Sequence, residues 1–153
     1  MYAKILVPVD GSPTSDRGLD EAIQLARLTG ASVRLLHVID LMTISMAPES
    51  GAALTSQLVQ LLTDEGQQLL TQAEARVKSA GVGVETQLVE SSAGRVCDQV
   101  VEEARRWPAD LIVIGTHGRR GVGRLMLGSD AEQIARLSPV PVLLVRAPRP
   151  AAA

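Results

Sequence analysis

The residue types best suited to chemistry cluster in Gly115-Thr-His-Gly-Arg-Arg-Gly-Val-Gly-Arg-Leu-Met-Leu-Gly-Ser129, directly after the apolar run Leu111-Ile-Val-Ile114. Glycines, a hydroxyl and several cations there join a strand pattern to a helix pattern that begins at Ser129. Glycine takes positive φ and lets another group approach the backbone closely. The N–H groups of such a loop, and of the helix start that follows it, can then point at an anion. The chemistry indicated is phosphate binding, and the ligand class is a nucleotide or another phosphorylated small molecule. Two common fingerprints do not fit. A Walker A loop needs Lys between its second Gly and the hydroxyl residue, whereas Ser129 follows Gly128 at once. A dinucleotide fingerprint needs a third Gly where Met126 stands, and it follows the first strand, where this chain has Asp10-Gly-Ser12 instead.

The elements that must hold this loop show as a regular alternation along the chain. Ile5–Val9 reads as a first buried strand, and 14–29 as a helix with Leu19, Ala22, Ile23 and Ala26 inward and Gly30 as its stop. Ser32–Val38 is a second strand, followed by a loop over 39–51. A long helix is predicted over 53–80, with Leu58, Leu61, Leu62, Leu69 and Ala73 as its apolar stripe and Gly81 as its cap. Val84–Val89 is a third strand, near an edge because Glu85 and Gln87 are polar. Arg95–Arg106 is a helix presenting Val96, Val100, Val101 and Ala104 inward. Leu111–Ile114 is a fourth strand, Ser129–Leu137 a short helix and Val140–Val145 a fifth strand, and the tail 147–153 reads as disordered. Continuous apolar strands alternating with helices imply a single-domain α/β fold, an open five-stranded parallel sheet with helices on both faces.

Composition narrows the function classes. A chain of 153 residues is long enough for a core without metal or disulfide staples. A net charge of −2 gives no electrostatic reason to expect nucleic acid or an anionic membrane as partner. With Tyr2 and Trp107 as its aromatics, the chain lacks the stacking platforms of single-strand binders. No apolar run approaches membrane-spanning length, and the N-terminus lacks the apolar region of a signal peptide. One cysteine, Cys97, excludes an internal disulfide, and the expected localisation is cytoplasmic. Cys97 reads as a buried structural thiol, His37 as a strand residue without metal partners, and Trp107 as a packing residue.

The spacing Gly115-x2-Gly118-x9-Gly128-Ser129 resembles the ATP-binding signature of the universal stress protein family. Ile5-Leu-Val-Pro-Val-Asp-Gly-Ser12, Leu35-Leu-His-Val38 and Ser138-Pro-Val-Pro-Val-Leu-Leu-Val-Arg146 resemble that family's first, second and last strands, so the likeness covers 1–146 as one domain. The resemblance implies a Rossmann-like, adenine nucleotide α-hydrolase-like sheet of order 3-2-1-4-5, with the loops after strands one and four facing each other. It implies that Pro8, Val9 and Asp10 line the adenosine end, with Asp10 accepting from the ribose hydroxyls, and that Val38 and Ile114 complete an apolar slot. Gly115, Gly118, Gly128 and Ser129 would hold the phosphates, helped by His117, Arg119 and Asp130. The implied cofactor is ATP, with ADP and AMP as alternatives and Mg²⁺ as an optional companion.

Plainer readings stand beside these. Asp10-Gly11 also reads as a turn in which Asp10 bonds its own backbone. Ser129 and Glu132 have the spacing of a capping box. His117, Arg119, Arg120 and Arg124 also read as solvated loop groups. Asp130 departs from the family pattern of a small or hydroxyl residue; it suits a helix first turn, repels a terminal phosphate or offers Mg²⁺ a ligand. The leading functional expectation is a nucleotide-dependent stress-response and signalling module with an unspecified protein partner. A nucleotide-free dimeric interaction module and a slow ATPase or autophosphorylating enzyme are the alternatives. The apolar final strand reads as an edge, and the resemblance implies a homodimer through Val140–Val145.

Overall fold

Ile5, Leu6 and Val7 follow one another without a polar break, which suits a strand covered on both faces, and all three are fully buried. The computed structural model describes residues 1–45, 56–116 and 127–146. Its elements are β1 (Lys4–Pro8), α1 (Pro13–Thr29), β2 (Ser32–Asp40), α2 (Leu41–Ser45), α3 (Ser56–Ser79), β3 (Val84–Ser91), α4 (Val96–Arg106), β4 (Leu111–Gly115), α5 (Ser129–Leu137) and β5 (Val142–Val145). Every strand pairing is parallel, in the order β3-β2-β1-β4-β5. On one face Ile5, Val7 and Leu35 pack with Leu19 and Ala22 of α1 and Leu70 and Val77 of α3. On the other, Leu6, Leu36 and Ile112 pack with Val100 and Ala104 of α4 and Ile134 of α5. The chain thus winds outward from β1 to β3 beneath one helical layer and returns through β4 to β5 beneath the other.

Local signals account for most boundaries. The Ser12 hydroxyl caps α1 by accepting from the Ser15 N–H at 3.2 Å, with Pro13 in the first helical position, where its missing N–H costs nothing. Gly30 ends α1 at φ 74°, a left-handed conformation that disfavours other residues. At the amino ends of the strands the Arg34 guanidinium donates to Glu103 at 2.6 Å and to Glu85, and it lies 4.8 Å from the centre of the buried Trp107 ring. Lys4 Nζ sits 5.2 Å from the same ring. Trp107 is therefore a packing residue that also anchors two cations.

The structure departs from the expected elements in three places. β2 does not stop at Val38: Ile39 and Asp40 pair with Glu90 and Ser91, and residues 41–45 form α2. The expected loop is therefore replaced by strand and helix over 39–45, while 46–51, like the tail 147–153, lies outside the described residues. β5 starts at Val142 rather than Val140, because the Val140 N–H turns to Ser138 Oγ at 3.2 Å and Pro141 has no N–H to pair. The buried stripe of α3 is Gly66, Leu70, Ala73 and Val77, and Leu61 is 54% exposed. Five residues before Gly66, at about 100° per residue, Leu61 falls on the opposite side of the helix.

Gly66 explains why α3 sits so close to the sheet. A Cβ there would lie 2.8 Å from His37 Cδ2 and 3.0 Å from Leu88 Cδ1. Ala normally stabilises a helix interior by about 1 kcal/mol relative to Gly. Here the sign reverses: Gly66→Ala lowers the stability measured by urea unfolding by about 1–3 kcal/mol, the usual range for overpacking. An unchanged or raised midpoint contradicts this packing.

Candidate functional site

The site begins where β1 leaves the sheet. Its last ladder bond runs from the Val9 N–H to the Leu36 carbonyl at 2.8 Å. The chain then turns through Gly11 at φ 77°. Asp10 Oδ1 accepts from the Ser12 N–H at 2.8 Å, and the Asp10 N–H donates to Ser15 Oγ at 3.1 Å. Asp10 therefore makes the turn expected of an Asp-Gly pair, and its side chain also lines a cavity at the carboxyl ends of the strands.

β4 ends opposite this turn. A Cβ on Gly115 would lie 2.6 Å from the Thr14 carbonyl carbon and oxygen and 3.0 Å from the Ser15 nitrogen. A Cβ on Gly18 of α1 would in turn lie 3.2 Å from the Gly115 nitrogen. Gly115 is thus required by the seating of α1 against β4, a constraint independent of any ligand. Beyond it the Thr116 N–H donates to the Val145 carbonyl at 2.9 Å, and the Gly128 N–H donates to the Thr116 carbonyl at 2.8 Å. The first ties Thr116 to β5, and the second brings the two ends of the glycine- and arginine-rich segment together.

The capping box expected at Ser129 and Glu132 does not form. Gly128 is the N-cap, with φ −59° and ψ 145°; its carbonyl accepts the first helical bond from the Glu132 N–H at 2.9 Å, and as a glycine it has no side chain with which to cap the helix. The extended backbone of Gly128 moves the helix start one residue earlier than a box requires, so Ser129 lies inside α5 and Glu132 is its fourth residue rather than its third. Helix geometry gives the N–H groups of residues 129–131 no intrahelical acceptor, and the dipole makes this end favourable for negative charge. Asp130 occupies this first turn, half-buried.

Pro8, Val9, Asp10, Val38, Ile114, Gly115, Gly128, Ser129 and Asp130 all line one cavity of about 420 Å³. Its volume falls within the roughly 300–1,000 Å³ of small-molecule sites. His117, Gly118 and Arg119, with Arg120 and Arg124, lie outside the described residues. Several lining residues are not among those expected at the site: Ser15 of α1, His37, Ile39 and Asp40 of β2, Ile44 of α2, and Leu62, Glu65 and Gly66 of α3. The signal for the β2 group was its continuation as Leu35-Leu-His-Val-Ile-Asp40, which carries the strand end to the cavity. α3 gives no comparable signal, because its contribution depends on how closely Gly66 lets it approach.

The lining joins apolar Val9, Val38, Ile39, Ile114 and Ile134 to the carboxylates Asp10, Asp40, Glu65 and Asp130, with no Lys or Arg among the described residues. Among the described residues no group of three or more His, Cys, Asp or Glu side chains converges to hold a metal. A divalent ion here would need ligand oxygens besides the side chains of the described residues, and phosphates are the usual source for Mg²⁺. Cys97 is 1% exposed, and burial, reinforced by Asp98 and Asp130, raises its thiol above the ordinary range. That environment suits an inert core thiol rather than a nucleophile. No described helix is long and apolar enough to cross a membrane.

Residues 1–146 match the family model described as the universal stress protein family. The universal stress protein MJ0531 of Methanocaldococcus jannaschii is 34% identical over 149 residues, covering 97% of this chain and 85% of that protein. Among solved structures, protein MJ0577 of the same organism superposes with a TM-score of 0.83 at 29% identity, covering 98% of this chain and 99% of that one. A universal stress protein in complex with cAMP gives a TM-score of 0.68 at 28% identity, covering 95% of this chain and 97% of that one. The Archaeoglobus fulgidus universal stress protein in complex with dAMP gives 0.68 at 26% identity, covering 94% and 98%.

The seating of α1 is testable without ligand. Gly115→Ala lowers the urea-unfolding stability of the free protein by about 3 kcal/mol, at the upper end for overpacking because the obstructing atoms are backbone. A variant as stable as the parent protein contradicts the close approach of α1 and β4.

Proposed function

Because this chain belongs to the universal stress protein family, we propose that it binds an adenine nucleotide, ATP in the first instance, in the cavity between the carboxyl ends of β1 and β4. One observation carries this reading: nine of the residues that the family resemblance implies for the site, drawn from separate stretches of sequence, line a single cavity of nucleotide size. In this assignment Val9, Val38 and Ile114 flank the base and Asp10 accepts from the ribose hydroxyls. Gly128, Ser129 and the first turn of α5 hold the phosphates. Gly115 and Asp130 border that end, and the family resemblance assigns His117, Gly118 and Arg119, outside the described residues, to the same phosphates. Nucleotide complexes of structurally similar family members support the ligand class. Occupancy of this cavity by ATP would couple cellular nucleotide state to the protein's stability and to its contacts with a protein partner, as a stress-response module needs.

The four carboxylates of the lining set the phosphate preference. A bare triphosphate gains from the α5 dipole but faces Asp130, so it needs cations from the arginine-rich segment or from Mg²⁺. AMP carries less charge and needs them less. Calorimetric titration with AMP, ADP and ATP therefore gives ATP binding that Mg²⁺ strengthens and AMP binding that Mg²⁺ leaves unchanged. Asp10→Asn preserves the acceptor for Ser12 but removes the carboxylate; it weakens all three nucleotides by about tenfold or more, the worth of a hydrogen bond to a charged group. No heat of binding at millimolar nucleotide in the parent protein contradicts the reading.

A homodimer through the last strand is supported by a specific observation. β5 is the outer strand of its side of the sheet, and Leu143 and Leu144 are 36% and 37% exposed. An apolar edge strand of this kind is a template for a second copy. Sedimentation at micromolar concentration is expected to give twice the 16.2 kDa chain mass, and Leu143→Lys with Leu144→Lys is expected to give the single chain. A parent protein that sediments as a single chain contradicts the dimer.

A further inference from the structure

His37 is a buried titratable side chain in the cavity lining that the nucleotide assignment does not use, and its surroundings define a job. It is 8% exposed, and its Nδ1 lies 2.7 Å from the Val9 carbonyl oxygen. A carbonyl only accepts, so Nδ1 carries the proton and donates. The parallel register pairs Pro8 with Leu36, which puts His37 level with Val9, one step past the last paired residues. β1 leaves the sheet at this step: the Val9 N–H makes the final ladder bond to Leu36, and the Val9 carbonyl is taken by the His37 ring. The ring in turn faces Gly66, where a Cβ would stand 2.8 Å from Cδ2 and 3.3 Å from Nε2. Helix α3 thus approaches the imidazole closely enough to restrict its rotation, and the donor stays on its acceptor.

We propose that His37 is a positioning residue that fixes the bend carrying Asp10 and so sets the adenosine end of the cavity. The ring extends the β1–β2 ladder by one side-chain bond at the point where the backbone departs. Asp10 is the next residue, and its orientation depends on that departure and on the bonds it shares with Ser12 and Ser15. The effect on ligand rests on the adenine-nucleotide reading above; the effect on the bend does not.

The test compares three variants. His37→Leu and His37→Gln remove the donor from the Nδ1 position, the second with a polar side chain one carbon too long. His37→Asn keeps an N–H at the same number of bonds from Cα. Amide hydrogen exchange in the ligand-free protein is expected to quicken at Asp10 and Ser12 in the Leu and Gln variants by about tenfold, with the amides of Ile5–Val7 unchanged, the scale expected for one lost hydrogen bond. Adenosine affinity falls by a similar factor in both, and His37→Asn restores both readouts to within about threefold. Exchange at Asp10 and Ser12 that stays at the parent rate overturns the proposal. So does an Asn variant as impaired as the Leu and Gln variants, or acceleration spread evenly along β1. Parent protein that binds no adenosine removes the nucleotide reading, and the exchange pattern alone then decides whether His37 holds the bend.

Discussion

Two adjacent parallel strands that send the chain in opposite directions leave a gap between their carboxyl ends, and everything at this site depends on that gap. β1 feeds α1 and the strands on one side, β4 feeds α5 and the strand on the other, and the carboxyl ends of β1 and β4 stand open between them. The gap keeps its shape because backbone is packed on backbone. α1 rests on Gly115 across a distance that no Cβ could share, and Gly18 repeats the contact from the helix side. The turn through Asp10 and the start of α5 are therefore held in relation to one another before any ligand arrives. Such preorganisation favours binding, because ordering the loops on association would cost free energy.

The chemistry distributed around the gap is uneven. Apolar Val9, Val38 and Ile114 supply the surface a base would desolvate, and Asp10 supplies a carboxylate held at a turn. Helix N–H groups at the start of α5 are the matching feature for anionic oxygens. Asp40, Glu65 and Asp130 add negative charge that this anion must meet. The balance belongs to this chain's own side chains, and under the proposed assignment it would make the number of phosphates depend on the cations that accompany them.

The alternation of apolar runs and helical stripes was enough to recover the layers and the helix order, and the resemblance supplied the strand order. Gly30 marks the end of α1 through a cap written in the residue itself, so that boundary is legible, while the start expected at 14 lies at Pro13 behind the Ser12 cap. The errors came where tertiary contact outweighed local pattern. Polar Asp40, Glu90 and Ser91 conceal strand, yet β2 and β3 pair through them. Ser129 and Glu132 have the right types for a box, but Gly128 takes the cap conformation. Of the expected α3 stripe Ala73 is buried, but Gly66, Leu70 and Val77 complete the buried face rather than Leu61, because Gly66 allows the closest approach to the sheet. Ser15 and Glu65 are hidden in the same way: each reaches the cavity through packing distance, and nothing in their spacing announces it.

The most direct measurement is a titration of AMP into uniformly nitrogen-labelled protein, followed through the amide signals. The account predicts shifts concentrated at Val9, Asp10, Val38, Ile114 and the first turn of α5, moving together with one dissociation constant. Unchanged spectra at millimolar AMP, or shifts gathered at the opposite end of the sheet around Arg34 and Trp107, would contradict it.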